Sequence, residues 1–355
     1  MSSRSSNAAG GASKRFLLLL AVVALVAGIW TWQRYQGFAN APLAGNDRGD
    51  FLLVARGDSL DSVLRTLQAQ GIRTGESVQW KLLARKLGAA GKLQVGEYAL
   101  EPGIDPQQLL LAMRDGKVVR RKFTIVEGWN IREVRAALAK VELLEHASGD
   151  MDDVALMLAL EHAGEHPEGR FLPETYAWVR GDSDLDLLRR AHDAMDTALD
   201  AAWKSRIDDL PIKSSDEALV LASIIEKETG IAEERPAIAG VFVRRLKIGM
   251  RLQTDPTVIY GMGAAYAGNI RRSDLTTDTP YNTYTRDGLP PTPIAMPGAA
   301  ALRAATHPAN GDALYFVAVG DGSGRHVFTR SLDEHQDAVR EYLQRYRAQR
   351  AAASK

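Results

Sequence analysis

Apolar residues recur at helical spacing along most of the chain, and short apolar runs of the kind typical of strands lie between the helical stretches. The run FLLVARG, which begins at Phe51, predicts a short strand, and a second strand is predicted over 93–100. Three helices are predicted around these strands, over 60–71, 76–87 and 106–115. Their inward apolar positions are Leu60, Val63, Leu64, Leu67, Val78, Leu82, Leu83, Leu109, Leu110 and Met113. The pattern therefore predicts a small α+β module over 51–118.

The order of this module, strand–helix–helix–strand, comes with the sequence GDSL directly after the first strand. That combination resembles LysM, a small module that binds peptidoglycan and chitin. The resemblance covers about 65 residues and implies a carbohydrate contact. The alternative is a packing module that makes no sugar contact of its own.

A larger mixed α/β domain is predicted over 119–346. Its helices are predicted over 131–138, 151–162, 182–206, 214–230, 236–248 and 332–346. A strand over 123–128 and a strand pair over 313–329, joined by a Gly-rich turn, complete the regular elements. Two stretches, 251–261 and 279–298, are dense in Pro, Gly, Tyr, Asn and Thr and predict irregular backbone. Long irregular segments inside a domain are usually functional, and these side chains are ones that line sugar-binding grooves.

One segment near the N-terminus is more continuously apolar than the helices of a soluble domain. Seventeen residues from Phe16 to Trp32 carry no charge, and the residues before them include Arg4, Lys14 and Arg15 but no acid. This predicts a transmembrane helix over 16–33, with a cytoplasmic tail over 1–15 and a flexible linker over 34–50. The remainder of the chain would then lie outside the cytoplasm. The alternative is a signal peptide cleaved after the small-x-small sequence Ala39-Asn40-Ala41.

The charge balance narrows the range of partners. Lys and Arg together number 44, as do Asp and Glu, so the composition has no basic excess for nucleic acid. Cysteine is absent, which excludes disulfides, thiolate metal sites and cysteine nucleophiles. The last residues, 347–355, form a polar tail.

The stretch EALVLASIIEKETG, Glu217 to Gly230, is the main candidate for chemistry. A nearly unbroken apolar run ends in Glu226, Lys227 and Glu228. A glutamate at the mouth of a buried helix suits glycosidic-bond chemistry. Two positions on a helix differ by about 200°, so Glu226 and Glu228 cannot form one carboxylate pair. Helical geometry alone leaves the choice between them open.

Other reaction classes lack their motifs. The sequence has no GxSxG, SxxK or phosphate-binding loop, and GDGSG near residue 322 falls in the predicted hairpin turn. His162 and His166 are four residues apart, a spacing that suits a metal on one helix face. Gly164 and Pro167 interrupt any helix there, so no metal site is predicted.

Four long motifs in order carry a wider resemblance. They are LASIIEKETG, LQTDPTVIYG, YNTYTRDGLPPTPIAMPG and LYFVAVGDGSGRHVFTRSLDEH. The chain resembles the MltG (YceG-like) family of endolytic murein transglycosylases, closely over about 120–340 and in architecture over nearly its whole length. The resemblance implies that the first glutamate of the EKE triplet, Glu226, is catalytic. It also implies the groove residues Gln253, Thr254, Asp255, Tyr281, Asn282, Thr283 and Tyr284.

The resemblance further implies a bacterial inner-membrane enzyme that needs no cofactor. Such an enzyme cleaves the MurNAc–GlcNAc β-1,4 bond without water and leaves 1,6-anhydroMurNAc ends, with one glutamate acting as acid and then as base. Peptidoglycan strands are the expected partner, together with peptidoglycan synthases. The alternatives are a non-catalytic peptidoglycan-binding scaffold and a hydrolase that leaves reducing ends. The predicted fold class is α+β, with a transmembrane helix, a LysM-like module and a mixed α/β catalytic domain.

Overall fold

The computed structural model describes residues 9–46 and 50–353. The chain divides into two compact units, the first formed by Met1–Arg121 with Val179–Gly181 and the second by Lys122–Trp178 with Asp182–Lys355. The first eight residues of the predicted cytoplasmic tail and the last two residues of the predicted polar tail lie outside the described residues.

The first unit begins with helix α1, Ala9–Asn40. Within the described residues, its segment Phe16–Asn40 is the one helical stretch long and apolar enough to cross a membrane, and the large apolar residues from Phe16 to Trp32 are exposed. The predicted flexible linker is wrong at its start, because α1 continues to Asn40. Phe38 is 7% exposed and packs edge-on against Trp80, with ring centroids 5.5 Å apart. The apolar contacts of Phe38 fix the first part of the segment that was predicted to be a flexible linker because of its small residues.

Strands β1, Phe51–Val54, and β2, Gly96–Ala99, pair antiparallel with Phe51 opposite Ala99. Three helices accompany them: α2, Leu60–Ala69; α3, Ser77–Lys86; and α4, Pro106–Asp115. The predicted strand–helix–helix–strand order is confirmed, whereas the likeness to LysM stays a prediction. In α3 the predicted inward positions Val78 and Leu82 are wrong, since both are exposed. Trp80, Leu83 and Ala84 fill that face instead, because the large indole ring sets which side of the helix is buried.

The second unit combines short strands with nine helices among the described residues. The strands are β3, Arg121–Thr124; β4, Thr175–Trp178; β5, Tyr315–Ala318; and β6, His326–Thr329. The helices are α5, Ile131–Leu138; α6, Asp153–Ala159; α7, Asp184–Lys204; α8, Ser215–Glu228; α9, Arg235–Lys247; α10, Asp255–Met262; α11, Arg272–Thr276; α12, Ala299–Thr306; and α13, Leu332–Ala353. The mixed α/β character is as predicted, and β5 and β6 form the expected antiparallel pair.

Local prediction failed at four helices of the second unit. The stretch 251–261 was expected to be irregular, but α10 begins at Asp255, because Pro256 occupies the first turn, where no N–H is needed. Helices α11 and α12 were not predicted, and the last helix extends past Tyr346. The stretch 279–298 has no helix or strand, as expected.

Helix α8 lies in the middle of the second unit's core. Every residue from Ala218 to Glu226 is buried. It packs against α7, α9, α10 and α12. The middle of the helix is enclosed by its neighbours, and its C-terminal end carries Glu226 and Glu228.

Candidate active site

Helix α8 presents its two glutamates from a rigid base. Ser214 caps the helix, its Oγ accepting a hydrogen bond from the Glu217 N–H at 3.2 Å. The helix ends where Thr229 adopts extended backbone angles, φ −147° and ψ 135°. Glu226 and Glu228 therefore occupy the last turn, on different sides of the helix.

The carboxylate of Glu226 is enclosed by two donors. Its Oε1 accepts a hydrogen bond from Arg235 Nη2 at 3.0 Å, and its Oε2 accepts one from the Gly298 N–H at 2.9 Å. Only 4% of the side chain is exposed. Burial raises the pKa of Glu226, while the Gly298 N–H and the Arg235 guanidinium oppose that rise. The carboxylate thus has both oxygens occupied within the core.

The segment 293–298 closes over this side of α8. The Ile294 N–H donates to Ser223 Oγ at 3.0 Å, one helical turn before Glu226. The Met296 N–H and C=O both bond to backbone groups of 128–129. The sequence PIAMPG thereby forms a strap along α8, and Glu226 lies beneath it.

Glu228 faces a different environment. It lines an open cleft of about 570 Å³ and accepts a hydrogen bond from the Thr254 hydroxyl. The other residues of the cleft are Arg245, Leu252, Gln253, Asp255, Tyr284, Tyr315, Phe316, Val317, Leu332, His335 and Val339. Apolar and aromatic surface combined with a few polar groups is the usual composition of a ligand site.

The surroundings of Glu228 favour its protonated form. Burial, with a smaller contribution from the nearby Asp255 carboxylate, raises its pKa to about 7, although the Thr254 hydroxyl and the Arg245 guanidinium oppose that rise. At neutral pH a substantial fraction of Glu228 carries its proton. A carboxyl group in this state can act as a general acid.

Four of the seven predicted groove residues line the cleft with Glu228: Gln253, Thr254, Asp255 and Tyr284. The Tyr284 hydroxyl donates to Asp255 Oδ1 at 2.6 Å, which fixes both side chains on one wall. Gln253 has a φ of 49°, uncommon for a residue with a side chain. Such backbone strain is frequent at functional sites.

The other three predicted groove residues do not line this cleft. Asn282 is 1% exposed, and its amide donates to three backbone carbonyls between 274 and 277. Thr283, also buried, accepts a hydrogen bond from the Thr254 N–H at 3.1 Å. Tyr281 packs edge-on against Tyr260, with ring centroids 4.9 Å apart. Their contacts hold the irregular segment in place.

Sequence analysis did not identify two residues that form or support the site. Arg245 lines the cleft and donates to the carbonyls of Leu252 and Leu314. A second arginine late in an apolar helix, such as Arg245 in α9, is the signal that could have found it. Glu168 is 1% exposed and has a pKa raised to about 7 by burial. Nothing in its loop sequence marks it.

Glu168 joins two helices of the second unit. Its carboxylate accepts from the Ile131 N–H, at the start of α5, and from the Tyr260 hydroxyl of α10 at 3.0 Å. Because α10 begins with Asp255, this contact fixes the helix that carries a wall of the cleft.

His162 and His166, whose spacing alone predicts no metal site, have different partners. His166 Nδ1 accepts a hydrogen bond from the Glu168 N–H at 3.1 Å. His162 lies beside His192 of α7, with ring centroids 3.6 Å apart, and Glu165 is adjacent. These three side chains form a candidate metal-binding group among the described residues.

The described features define a mixed α/β protein with a carboxyl group at the end of a buried helix, facing an aromatic-lined cleft. The sequence profile of the YceG-like family matches residues 52–341, and the chain belongs to this family.

Relatives of this chain include two with assigned names. An endolytic murein transglycosylase of Bacillus subtilis is 30% identical over 307 residues, which cover 82% of this chain and 84% of that protein. An endolytic murein transglycosylase of Streptococcus pneumoniae is 27% identical over 287 residues, 71% of this chain and 51% of that protein. The chain thus spans about half of the streptococcal relative. A solved structure of a protein described as YceG-like, from Listeria monocytogenes, matches with a TM-score of 0.50 and 27% identity, covering 82% of this chain and 99% of that one.

Proposed function

We propose that this protein is an endolytic peptidoglycan transglycosylase that cleaves MurNAc–GlcNAc β-1,4 bonds within glycan strands and leaves 1,6-anhydroMurNAc ends. We further propose Glu228 as its catalytic residue; Glu226, the residue implied by the resemblance to the family, is the alternative. The names of its relatives support the substrate class. The observation that carries the assignment is the placement of Glu228 in one open cleft with four residues expected to contact the glycan.

The two glutamates differ in what a substrate could reach. A proton donor must come within hydrogen-bond distance of the glycosidic oxygen. Glu228 is half-buried and opens onto the cleft, whereas Glu226 is occupied by Arg235 and Gly298. For Glu226 to act, its hydrogen bonds to Arg235 and Gly298 would first have to rearrange. Catalysis by Glu228 requires no such rearrangement.

The reaction needs one carboxyl group in two steps. Protonated Glu228 donates its proton to the glycosidic oxygen as the bond to C1 of the muramic sugar breaks. The resulting carboxylate then removes the proton of the C6 hydroxyl of that sugar, whose oxygen forms the new bond to C1. The proton returns to Glu228 and no water is consumed. A carboxyl group with a pKa of about 7 suits both steps.

The contacts of Glu228 serve these steps. The Thr254 hydroxyl stabilises the Glu228 carboxylate that forms after proton donation. Before that step, the negative charge of Asp255 favours the protonated form of Glu228. Tyr284, Tyr315 and Phe316 supply aromatic faces of the kind that pack against sugar rings.

Asp255 is also what a rival mechanism would use. A hydrolase needs a second carboxylate to activate a water, about 5–9 Å from the first. Asp255 is the candidate for that role, since it is the other carboxylate that lines the same cleft. Such an enzyme would leave reducing ends, and a scaffold without activity would leave no products.

The test compares Glu228→Gln with Glu226→Gln on purified glycan strands, with products identified by mass spectrometry. We expect anhydro ends from the wild type and a loss of roughly 10²–10⁴-fold in Glu228→Gln, with the fold retained by circular dichroism. Glu226→Gln should keep most of its activity as far as it stays folded. An active Glu228→Gln beside a folded, inactive Glu226→Gln would return the catalytic role to Glu226. Reducing ends would favour the hydrolase, and an absence of products the scaffold.

We also propose that α1 anchors the protein in the bacterial inner membrane, N-terminus inside, where peptidoglycan synthases would be its neighbours. Cleavage after Ala41 would remove Phe38 and Ala39, which are 7% and 2% exposed in the first unit's core. Loss of those contacts would expose apolar surface around Trp80. Intact mass measurement on membrane fractions should find residues 16–33 retained, and a mature chain starting near Pro42 would contradict the anchor.

A further inference from the structure

Three potential metal ligands meet on the second unit outside the cleft. His162 and Glu165 follow α6, and His192 lies on α7. Each offers one nitrogen or oxygen atom, and these three atoms lie within 4.8 Å of one another. None of the three residues lines the cleft of Glu228.

His192 is buried without a hydrogen bond. Its side chain is 1% exposed, yet neither Nδ1 nor Nε2 has a hydrogen-bond partner. The nearest carboxylate oxygens lie 3.6 Å from Nε2, on Glu165, and 3.4 Å from Nδ1, on Asp196. Buried polar atoms are almost always paired, so an imidazole lacking both partners indicates a ligand. The Glu165 carboxylate that faces His192 Nε2 also lies close to the other histidine, with its Oε1 atom 3.3 Å from His162 Nδ1.

We propose that His162, Glu165 and His192 bind one divalent transition-metal ion of the zinc type, with water completing its coordination. Two imidazoles and a carboxylate are ligands that Zn²⁺ prefers, whereas Mg²⁺ and Ca²⁺ prefer oxygen alone. Bonds of about 2.0–2.2 Å would draw the three ligand atoms closer together than they are now, by movements of about an ångström. Side-chain rotation at the half-buried His162 and Glu165 supplies that movement.

The second ring nitrogen of His192 already faces the group that such a site needs. Metal-binding histidines generally direct their other nitrogen at a carboxylate or carbonyl, which fixes the ring. Asp196, one turn further along α7, occupies this position for Nδ1. Metal on Nε2 and Asp196 on Nδ1 would satisfy both atoms that now lack partners.

Charge around the site permits a dication. Glu165 and Asp196 contribute two negative charges and Arg170 one positive charge, since its Nε lies 3.2 Å from Glu165 Oε2. Arg170 is drawn outward by Asp216, whose Oδ1 is 2.6 Å from its Nη2. The site is therefore net negative before metal binds.

The ion would have a structural role. It would tie the segment after α6 to α7, and Glu168 lies three residues beyond Glu165 in that segment. Because Glu168 holds α5 and α10, metal binding would stabilise the arrangement behind the cleft without touching substrate. The competing explanation is a pair of neutral imidazoles that stack without any ion.

The test uses the full-length protein purified in detergent without a polyhistidine tag and stripped with a chelator. We expect one equivalent of Zn²⁺ to bind by calorimetry, Co²⁺ to give visible d–d absorption, and Zn²⁺ to raise the midpoint of thermal unfolding by about 5 °C. Glu165→Gln and His162→Gln, at half-buried positions that tolerate the change, should each abolish these effects. His146→Gln, an exposed histidine, is the matched control and should leave them intact.

The proposal is overturned if the stripped protein binds no Zn²⁺, or if the Glu165→Gln and His162→Gln variants bind it as the wild type does. His192→Phe distinguishes the stacking explanation from metal binding, because it keeps an aromatic ring in the core but removes the metal ligand. If stacking alone matters, this variant should unfold at the same temperature as the wild type whether or not Zn²⁺ is added. None of these readouts depends on glycan cleavage, so the metal site and the proposed activity can fail independently.

Discussion

Glu226 and Glu228 lie two positions apart on α8, yet their carboxylates belong to separate networks. Glu226 accepts hydrogen bonds from Arg235 and Gly298, whereas Glu228 accepts one from Thr254 in the cleft. The rotation of about 200° between them places one under the strap and the other at an open surface. The helix therefore gives two similar side chains different chemistry through what packs on each side.

The pH dependence of cleavage should follow the neighbours of Glu228. Protonated Glu228 is the proposed acid, so activity should decline as pH rises through about 7. Asp255→Asn removes a charge that raises this pKa, which moves the decline to lower pH. Thr254→Val removes a hydrogen bond that lowers it, which moves the decline to higher pH. The measurement is kcat/KM against pH.

The exposed Asp209→Asn is the control for these two variants and should leave the profile unchanged. Shifts of Asp255→Asn and Thr254→Val in the same direction would contradict the assignment of Glu228.

Glu228 should also make stability depend on pH. Its pKa is about 7 in the folded protein and near 4.5 in the unfolded chain, so between these values the folded state binds more protons. Stability must then fall as pH rises from about 4.5 to 7, by at most about 3 kcal/mol for this group. Glu228→Gln lacks that loss. Denaturant unfolding at a series of pH values should show the free energy of unfolding of the variant rising relative to that of the wild type as pH rises. Parallel curves of free energy against pH would contradict a raised pKa of Glu228.

Arg235 should be essential to folding through Glu226. Arg235→Met leaves a carboxylate with 4% exposure without its cation, which costs about 3–5 kcal/mol when a buried pair is broken. Adding Glu226→Gln to Arg235→Met should recover part of that loss, because no charge then remains unpaired. Free energies of unfolding for the two single variants and the double variant form the cycle. Additive losses would mean that the pair does not interact.

Gly240 should resist replacement by alanine even though it lies inside helix α9. Alanine normally stabilises a helix interior over glycine by about 1 kcal/mol. Here a Cβ atom would lie 2.5 Å from the Ala309 carbonyl oxygen, a backbone atom. We expect Gly240→Ala to lower the free energy of unfolding by about 1–3 kcal/mol.

The control for Gly240 is Gly230→Ala. Nothing lies within 4 Å of a Cβ atom at Gly230, so this variant should unfold almost as the wild type does. Equal stability of the two variants would show that the backbone near Ala309 moves aside.

Elements with strong local signals were predicted nearly to the residue. Helix α4 has the predicted bounds because Asp105 caps it, Pro106 suits its first turn and Gly116 ends it in the left-handed conformation. Ser59 and Asn130, residue types that favour the N-cap position, each accept a hydrogen bond from the third residue of their helices. These signals act within one turn of the chain, where sequence alone suffices.

The sequence by itself determined that α8 is buried, that it ends in two glutamates facing different ways, and that the chain belongs with YceG-like proteins. Only the tertiary structure decided what each glutamate meets. Gly298 is 72 residues from Glu226, and Thr254 is 26 from Glu228. Contacts over such separations arise when the strap and α10 pack on α8, and no helical period encodes them. The side chain that reaches the cleft is therefore a property of packing.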